Sequence, residues 1–299
     1  MINKVLAIYY TQTGQLEEIV NNFCHPFIES GVDVEKVRVH PKYEYPFPWT
    51  SDNFFDEMPE SVLGVPTPLA PFNLKNTEYD LVIFAYQPWF LSPSIPANSI
   101  LVHPAFQAVV KNTPVVTLIG ARNMWLSAQV RVVKSISMAG GKIIGNVALV
   151  DKNSNLKSAV SILYWMLTGK KDRYLNIFPK PGIADADILK AAIFGRLVLD
   201  FAGKGDWNAI QPALVSLRAV EVNPDLMFIE ARAKKLFQLW AKIIIKKKNR
   251  APWVVLFKYY LLIALFIVAP IVVSLNNLLF RPFVRKRIHQ KKQYYLELN

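Results

Sequence analysis

The sequence predicts an α/β protein: a doubly wound, parallel, five-stranded sheet followed by a helical, membrane-associating C-terminal extension. Strand-length apolar runs alternate with helix-length segments over the first 150 residues, the pattern of βαβ crossovers. The C-terminal fifth combines the most apolar segment with the excess of positive charge. With 299 residues, 52% of them hydrophobic and 19% charged, the chain can bury a large core, which excludes a disordered protein.

Five apolar runs are the predicted strands. They are rich in β-branched and aromatic residues and nearly continuous in apolar character, as strands buried on both faces are. They span Lys4–Tyr10, Val32–Val39, Tyr79–Tyr86, Pro114–Ile119 and Lys142–Val150. Helices are predicted after the first strand, at about residues 99–110 and 124–138, and again at 155–169.

Three loops follow the first, third and fourth predicted strands, where doubly wound sheets bind their ligands. The first loop, Thr11–Gln15, has two hydroxyls, a glycine and backbone N–H groups at a helix start, which suit a phosphate monoester. It lacks the lysine of ATP-binding P-loops. The second loop, Gln87–Ser92, and the third loop, Gly120–Trp125, carry aromatic residues suited to a flat ring. The predicted ligand-binding residues are Thr11, Gln12, Thr13, Gly14, Gln15, Gln87, Pro88, Trp89, Phe90, Gly120, Ala121, Arg122, Asn123 and Trp125.

The single cysteine, Cys24, excludes an intramolecular disulfide and any multi-cysteine metal site, and we predict no metal centre. Cys24 lies near the end of the first predicted helix, away from the strand ends. We therefore expect it to be a packing residue.

The first loop resembles the T-x-T-G phosphate loop of the flavodoxins: Tyr10–Gln15 reads YTQTGQ after a buried strand. The resemblance covers roughly residues 1–150, and Leu16 stands where the family often has a further threonine. It implies a flavodoxin-like fold that binds FMN, with the phosphate in the first loop. Trp89, Phe90 and Trp125 are then candidates for stacking on the flavin ring, with ordinary core packing as the alternative.

A narrower resemblance involves IYYTQTGQL, YDLVIFAYQPWFLSPSIP, GARNMW and the basic hydrophobic tail. Together these segments are similar to the bacterial family called dialkylresorcinol condensing enzymes. The resemblance implies a ketosynthase-like partner enzyme and an aromatising role, in which a dialkyl cyclohexanedione is oxidised to a dialkylresorcinol for lipids or flexirubin-type pigments. A condensing activity is not supported, because that chemistry needs an activated cysteine with a histidine partner.

Arg122 is the one candidate catalytic residue. It could stabilise a flavin anion or an enolate oxygen, or it is a surface arginine at a helix start. No residue is assigned as the base. Two other functions stay open: a flavodoxin-like quinone reductase using NAD(P)H, and a non-catalytic flavin carrier or scaffold for the ketosynthase.

Residues 40–75 contain seven prolines interleaved with aromatic residues. A long loop of this composition in a compact domain is typical of a binding loop or lid. A rigid surface cover without a ligand is the alternative.

Charge and composition predict three regions: a flavodoxin-like FMN-binding domain at 1–178, a helical region at 179–250 and a hydrophobic membrane anchor with basic flanks at 251–299. Residues 1–231 hold 20 basic and 21 acidic residues, whereas residues 232–299 hold 15 basic residues and one acid. Because the basic residues bracket the apolar run Trp253–Phe280, we expect lipid and not nucleic acid as a partner. No cleavable signal pattern opens the chain, so we expect the protein on the cytoplasmic side of the inner membrane.

The form of the anchor stays open. Its uninterrupted apolar core, Tyr259–Val273, has 15 residues, which is short for a span. Basic clusters lie on both sides, at 246–250 and 281–287, so a single span would place one cluster outside, against the positive-inside tendency. Pro270 permits an interfacial helix pair with both flanks cytosolic, which we favour over a span and over the buried helix of a soluble dimer.

Overall fold

The computed structural model describes residues 2–298, with the backbone alone at 280–282. Five parallel strands form one sheet in the order β2-β1-β3-β6-β7, and two short strands, β4 and β5, form a hairpin after β3. This is the 2-1-3-4-5 strand order of flavodoxin-like sheets, and it confirms the predicted fold class. The strands are β1 Lys4–Tyr9, β2 Asp33–Arg38, β3 Leu81–Tyr86, β4 Pro88–Trp89, β5 Ser92–Pro93, β6 Pro114–Ala121 and β7 Lys142–Val150.

Helices cover both faces of the sheet and continue into the extension. They are α1 Gln15–Glu29, α2 Ser51–Asp56, α3 Met58–Leu63, α4 Ile95–Val102, α5 Pro104–Val110, α6 Leu126–Met138, α7 Asn155–Thr168, α8 Asp185–Leu189, α9 Ala191–Gly203, α10 Ile210–Ser216, α11 Pro224–Ile244, α12 Ala251–Ile263, α13 Ala269–Leu275 and α14 Arg281–Leu296.

Two predicted elements differ from the structure for local reasons. The third strand begins at Leu81, two residues later than predicted, because the Asp80 carboxylate accepts the backbone N–H groups of Asn3 and Lys4. The helix predicted at 99–110 is two helices, α4 and α5. Pro104 occupies the first position of α5, where its missing N–H is not needed, so α4 ends at Val102 and a second helix begins.

Two hydrophobic layers sandwich the sheet. Side chains of α1, α9 and α10 pack on one face, where Phe23, Val198 and Leu214 are fully buried. Side chains of α4, α5 and α6 pack on the other face, and α11 adds Met227 there. The core of the sheet therefore includes helices from the predicted helical region at 179–250.

A third hydrophobic cluster joins the proline-rich segment to the C-terminal extension. Phe55, Met58 and Val62 of that segment pack with Phe237 of α11 and Phe257 of α12. The Phe237 and Phe257 rings lie 5.5 Å apart, centroid to centroid, edge to face, a favourable aromatic geometry. Burial of these large rings, worth roughly 1.5–3 kcal/mol each, holds the start of the apolar helix against the α/β body.

The apolar segment forms one helical rod without a break at Pro270. Helix α12 runs through a π-helical turn at Ala264–Val268 into α13, and a second π-helical turn at Asn276–Phe280 leads into α14. Within the described residues, the stretch Ala251–Leu279 is long and apolar enough to cross or line a membrane. A helix pair interrupted at Pro270 does not form, because the widened turn before the proline accommodates the carbonyl that its ring would otherwise strike.

Candidate functional site

A cavity of about 770 Å³ lies at the carboxyl ends of β1, β3 and β6. The first, second and third loops all contribute to its wall, as predicted from their places after these strands. Its polar side chains come mainly from these loops, and none of the described lining residues is a carboxylate or histidine. The remaining wall is apolar. The polar lining residues are Gln12, Thr13, Gln15, Gln87, Arg122, Asn123 and Arg232.

The first loop leaves the start of α1 without a side-chain cap. Gly14 adopts a left-handed conformation with φ 84° and precedes α1, and no side chain caps that helix start. The Gly14 N–H donates to Thr11 Oγ1 at 3.2 Å, which braces the loop. The N–H groups of the first turn of α1 therefore remain available, with the positive end of the helix dipole, for a phosphate group.

The two glutamine side chains of that loop have structural partners. The Gln15 amide exchanges two hydrogen bonds of 3.1 Å with the backbone of Ile183, and Gln12 Nε2 donates to the carbonyl of Pro46. Both side chains thus tie distant segments to the first loop. Of the predicted ligand residues here, Gln12, Thr13 and Gln15 line the cavity, whereas Thr11 and Gly14 are not among its lining residues.

The second loop is a tight hairpin with a strained turn. Phe90 and Leu91 have φ 47° and 64°, the left-handed conformation that a two-residue hairpin loop requires and that bulky residues rarely adopt. Ser61 Oγ donates to the carbonyl of Trp89 at 2.9 Å, and Arg131 donates to Ser92 Oγ at 2.8 Å. Such over-determined strain is characteristic of binding sites.

Aromatic rings of the proline-rich segment pack on the second loop. Trp89 makes edge contacts with Tyr45 and Trp49, at centroid distances of 5.1 and 5.6 Å. Phe90 lies 4.8 Å from Phe54. The segment covers one side of the cavity, and its rings on the wall are Phe47, Trp49, Phe54 and Phe55.

The third loop is held by the start of α7. Arg122 Nη1 donates to the backbone and side-chain oxygens of Asn155 at 2.9 and 3.0 Å. Burial lowers the pKa of Arg122 to about 10, and Asp151 partly offsets that effect. The guanidinium is therefore charged at neutral pH and fixed in position at the cavity wall.

Asn123 presents an unsatisfied acceptor at this wall. Its Nδ2 donates to Asn155 Oδ1 at 2.7 Å, which orients the amide. Its Oδ1 is buried and accepts no hydrogen bond from any described residue. A buried acceptor without a donor costs about 1–3 kcal/mol, so this atom is suited to accept an N–H from a ligand.

Trp125 occupies the core and not the cavity wall. It is 2% exposed and packs on the face of the sheet that carries α6. The backbone N–H groups of Leu126 and Ser127, which follow it, donate to the buried carboxylate of Glu230 in α11. The other predicted residues of the second and third loops, from Gln87 to Phe90 and from Gly120 to Asn123, line the cavity.

More than half of the wall comes from residues that the sequence did not single out. Helix α7 contributes Ile162, Leu163, Trp165 and Met166. The continuous helix from α12 to α13, called the C-terminal helix below, contributes residues from Tyr260 to Val272. On α11, Phe228, Arg232 and Leu236 recur every four residues. That spacing marks one helical face, which is the signal in the sequence by which the contribution of α11 could have been found.

The arrangement can hold a phosphate-bearing planar ligand beside a second, apolar molecule. The first loop supplies backbone donors, the third loop supplies a cation and an acceptor, and the rest of the wall supplies apolar surface. Within residues 2–298, no group of three histidine, cysteine or acidic side chains is placed to hold a metal ion.

No protein-family model and no curated protein sequence matches the chain. Solved structures are similar in fold. A flavoprotein from Lactobacillus acidophilus in complex with FMN has TM-score 0.37 and 14% identity, over 48% of this chain and 91% of its own. A flavodoxin from the domain Archaea has TM-score 0.37 and 10% identity, over 67% and 97% of the two chains. A flavone reductase has TM-score 0.36 and 12% identity, over 68% and 64%. Because the TM-scores and identities are this low, the fold class is assigned from the strand order of the sheet and not from any one of these structures.

Proposed function

We propose that the protein is an FMN-dependent oxidoreductase at a membrane surface that oxidises an alkyl-substituted cyclic diketone to the corresponding resorcinol. The observation that carries the proposal is the convergence of the three strand-end loops on one cavity that continues into an apolar compartment beneath the C-terminal helix. Electron carriers need only an exposed flavin edge, whereas a deep apolar compartment favours a bound hydrophobic substrate.

The residues of the site fit FMN. The uncapped start of α1 would bind the phosphate, and the second and third loops would flank the ring. Asn123 Oδ1, which lacks a donor in the described chain, would accept a ring N–H. Bound flavin supplies a two-electron acceptor for hydride.

The protein's own residues would position and ionise the substrate. A cyclic 1,3-diketone loses a proton readily, and the charged Arg122 favours the resulting enolate. Aromatisation of the enolate then removes a second proton from the ring carbon beside a carbonyl and a hydride from the adjacent ring carbon, and it leaves the resorcinol as its monoanion. A water molecule would take that proton, because none of the described lining residues is a carboxylate or histidine. The aromatic wall of Trp49, Phe54 and Phe90 would shield the hydride from bulk water.

The sequence resemblance supports a ketosynthase-like enzyme as the supplier of the diketone. Such an enzyme forms carbon–carbon bonds between acyl chains and so yields an alkylated product. That product would partition into lipid, where the exposed apolar helix of this chain would also lie.

The first experiment is an absorbance spectrum of the purified, detergent-extracted protein, with the released cofactor identified by mass. We expect the two visible bands of oxidised flavin and about one FMN per chain. An anaerobic single turnover with an alkylcyclohexane-1,3-dione should then bleach the flavin and yield one resorcinol per flavin. A colourless protein that does not take up FMN would refute the proposal. Bleaching by NAD(P)H but not by the diketone would favour a quinone reductase.

A further inference from the structure

We propose that the cavity opens sideways into lipid, so that long-chain alkyl amphiphiles dissolved in one membrane leaflet enter it between α11 and the C-terminal helix. In this arrangement the apolar helix is a wall of the binding site as well as an anchor. The proposal uses the cavity assigned under the proposed function, and its test does not depend on flavin or turnover.

The C-terminal helix has an inner face and an outer face. The inner face lines the cavity. Its residues Leu261, Leu265 and Val272 are half-buried. Their spacing of four and seven residues places them on one helical face. Ile267 and Ile271 lie on the other side and are 57% and 54% exposed. A single helix therefore separates the cavity from the exposed apolar surface.

Both ends of the helical rod are attached to the same α/β body. At the start, Arg250 pairs with Asp56 and Glu60. At the other end, Leu296 is buried in the core of the sheet, and its carbonyl accepts a hydrogen bond of 2.6 Å from Gln211.

The Gln211 side chain is itself fixed within the fold. Its Oε1 accepts the backbone N–H of Asn146 in β7 at 2.8 Å. One folded body cannot lie on both sides of a bilayer, so in this conformation the rod does not cross the membrane. Its outer face is instead immersed from one side.

The mouth of the cavity lies beside that outer face. Leu236 of α11 and Ile263 and Val268 of the C-terminal helix all line the cavity, yet they are 44%, 54% and 46% exposed. Exposed apolar residues at an entrance offer no hydrogen bonds to a polar ligand, but they can pack against a hydrocarbon chain.

Arg232 adds a cation at this rim, where it lines the cavity and is exposed. The Arg232 guanidinium lies over the Phe228 ring and donates to the Phe228 carbonyl. It forms no ion pair with a described carboxylate. A cation at the edge of an apolar surface faces the headgroup layer of an anionic leaflet.

The compartment behind the mouth is suited to a hydrocarbon chain. Its far wall is the apolar face of α7, with Ile162, Leu163 and Met166. Each methylene that moves from water into such a wall tightens binding about fourfold. The ligand class is therefore an amphiphile with a long alkyl chain and a polar ring or headgroup.

The test uses the full-length protein bound to vesicles of phosphatidylcholine and phosphatidylglycerol. The probe is a long-chain alkylphenol whose chain ends in a photoreactive diazirine, dissolved in the vesicles. After irradiation, mass spectrometry locates the adducts. We expect adducts on the α7 peptide that contains Ile162, Leu163 and Met166. We also expect Leu236→Trp and Val268→Trp, tested separately, to lower α7 labelling about fivefold or more by crowding the mouth.

The matched control is Ile267→Trp, which adds the same bulk one residue away on the outer face and should leave α7 labelling unchanged. Thermal unfolding verifies that each variant is folded. If one mouth variant does not fold, the other is sufficient to test the proposal. Absence of α7 adducts, or equal α7 labelling in the mouth variants and the wild type, would overturn the proposal. Labelled α7 in a protein that binds no FMN would refute the oxidoreductase and leave the lipid-side entrance standing.

Discussion

Arg250 and Glu60 form a two-pronged ion pair, with Nη1–Oε1 at 2.7 Å and Nη2–Oε2 at 3.1 Å. Arg250 Nε also donates to Asp56 Oδ1 at 2.7 Å. Arg250 directly precedes the apolar helix, while Asp56 ends the short helix that carries Phe54 and Phe55. These ion pairs therefore attach the helix that carries Phe54 and Phe55, on the cavity wall, to the start of α12.

Replacing Arg250 should loosen this attachment. Arg250→Ala is expected to lower the free energy of unfolding by about 1–3 kcal/mol, because it removes charge-assisted hydrogen bonds from a partly buried site. Arg250→Lys should lose part of that amount, since lysine keeps the charge but not the planar fork. Chemical denaturation measures both. Arg218→Ala is the control, because the Arg218–Glu221 pair is 3.8 Å long and exposed and should contribute little. Equal effects at Arg250 and Arg218 would contradict the prediction.

Glu57 should make stability depend on pH. Burial, with the neighbouring carboxylates of Glu60 and Asp56, raises the pKa of Glu57 to about 7, although Arg250 acts in the opposite direction. The folded state therefore holds this proton more tightly than the unfolded state, so the group's contribution is complete below about pH 4.5 and is lost as pH rises through 7. Glu57→Gln should leave stability unchanged at pH 4 and raise it by about 1–2 kcal/mol at pH 8, after allowance for partial exposure.

Unfolding midpoints across that pH range, compared with the exposed Glu78→Gln variant, provide the measurement. A Glu57→Gln variant whose pH profile parallels that of the wild type would show that the carboxylate is not strained by its neighbours.

Gly182 should be intolerant of a side chain. Its φ is +84°, and a Cβ there would lie 2.8 Å from Gln15 Oε1 and 2.9 Å from the Trp165 ring. Gly182→Ala therefore has two unfavourable effects. The left-handed backbone conformation costs about 1–2 kcal/mol for alanine, and the new methyl group crowds the hydrogen-bonded Gln15–Ile183 pair. Gly205→Ala is the matched control, since Gly205 has φ +74° but nothing within 4 Å of the same position.

We expect Gly182→Ala to destabilise the protein more than Gly205→Ala and, alone of the two, to weaken FMN binding. Denaturation and flavin fluorescence titration measure these effects. Equal destabilisation by the two variants would contradict the prediction. It would mean that the backbone around Gly182 shifts to accommodate the methyl group without disturbing Gln15.

Asn123 should contribute to ligand affinity more than to stability. Asn123→Ala removes the buried Oδ1 that has no donor in the described chain and only one hydrogen bond, to Asn155. For the proposed FMN ligand, affinity should fall about 5- to 10-fold, the value of one hydrogen bond, with little change in the unfolding midpoint. The exposed Asn21→Ala variant should leave the FMN affinity unchanged. Unchanged FMN affinity in Asn123→Ala would remove this atom from the ligand site.

The two basic flanks should lie on the same side of the membrane. The native Cys24 is fully buried, and burial raises the pKa of its thiol to about 12, so it should not react with maleimides. Cysteines introduced singly by Lys248→Cys and Lys291→Cys should both react with an impermeant maleimide added to inverted cytoplasmic-membrane vesicles. Reaction of only one of them until detergent is added would indicate a spanning helix.

The sequence predicted the elements of the fold because their signals are local. A parallel strand is recognised from apolar neighbours two to six residues apart, and all five strands lie within two residues of the predicted bounds. The loops Thr11–Gln15, Gln87–Ser92 and Gly120–Trp125 could be placed at one edge because parallel strands end together. The separation of charge and the apolar segment were equally visible in the chain.

Contacts between distant residues determined what each side chain does. Arg122 is held by Asn155, 33 residues later, and Gln15 by Ile183, 168 residues later. Trp125, which resembles Trp89 in its position after a strand, lies in the core, and the helix start that follows it donates to Glu230, 103 residues away from Ser127. No local pattern distinguishes a core tryptophan from one on a cavity wall.

The sequence by itself therefore determined the sheet, the edge at which the three loops meet and the apolar, basic-flanked tail, since these depend on composition and on spacing within one element. Only the tertiary structure decided that α7, α11 and the C-terminal helix close the cavity and that Arg250 and Leu296 attach both ends of the rod to one body. The reason is that packing joins surfaces formed by residues far apart in the chain, and its outcome depends on shape and hydrogen-bond partners that no single segment contains.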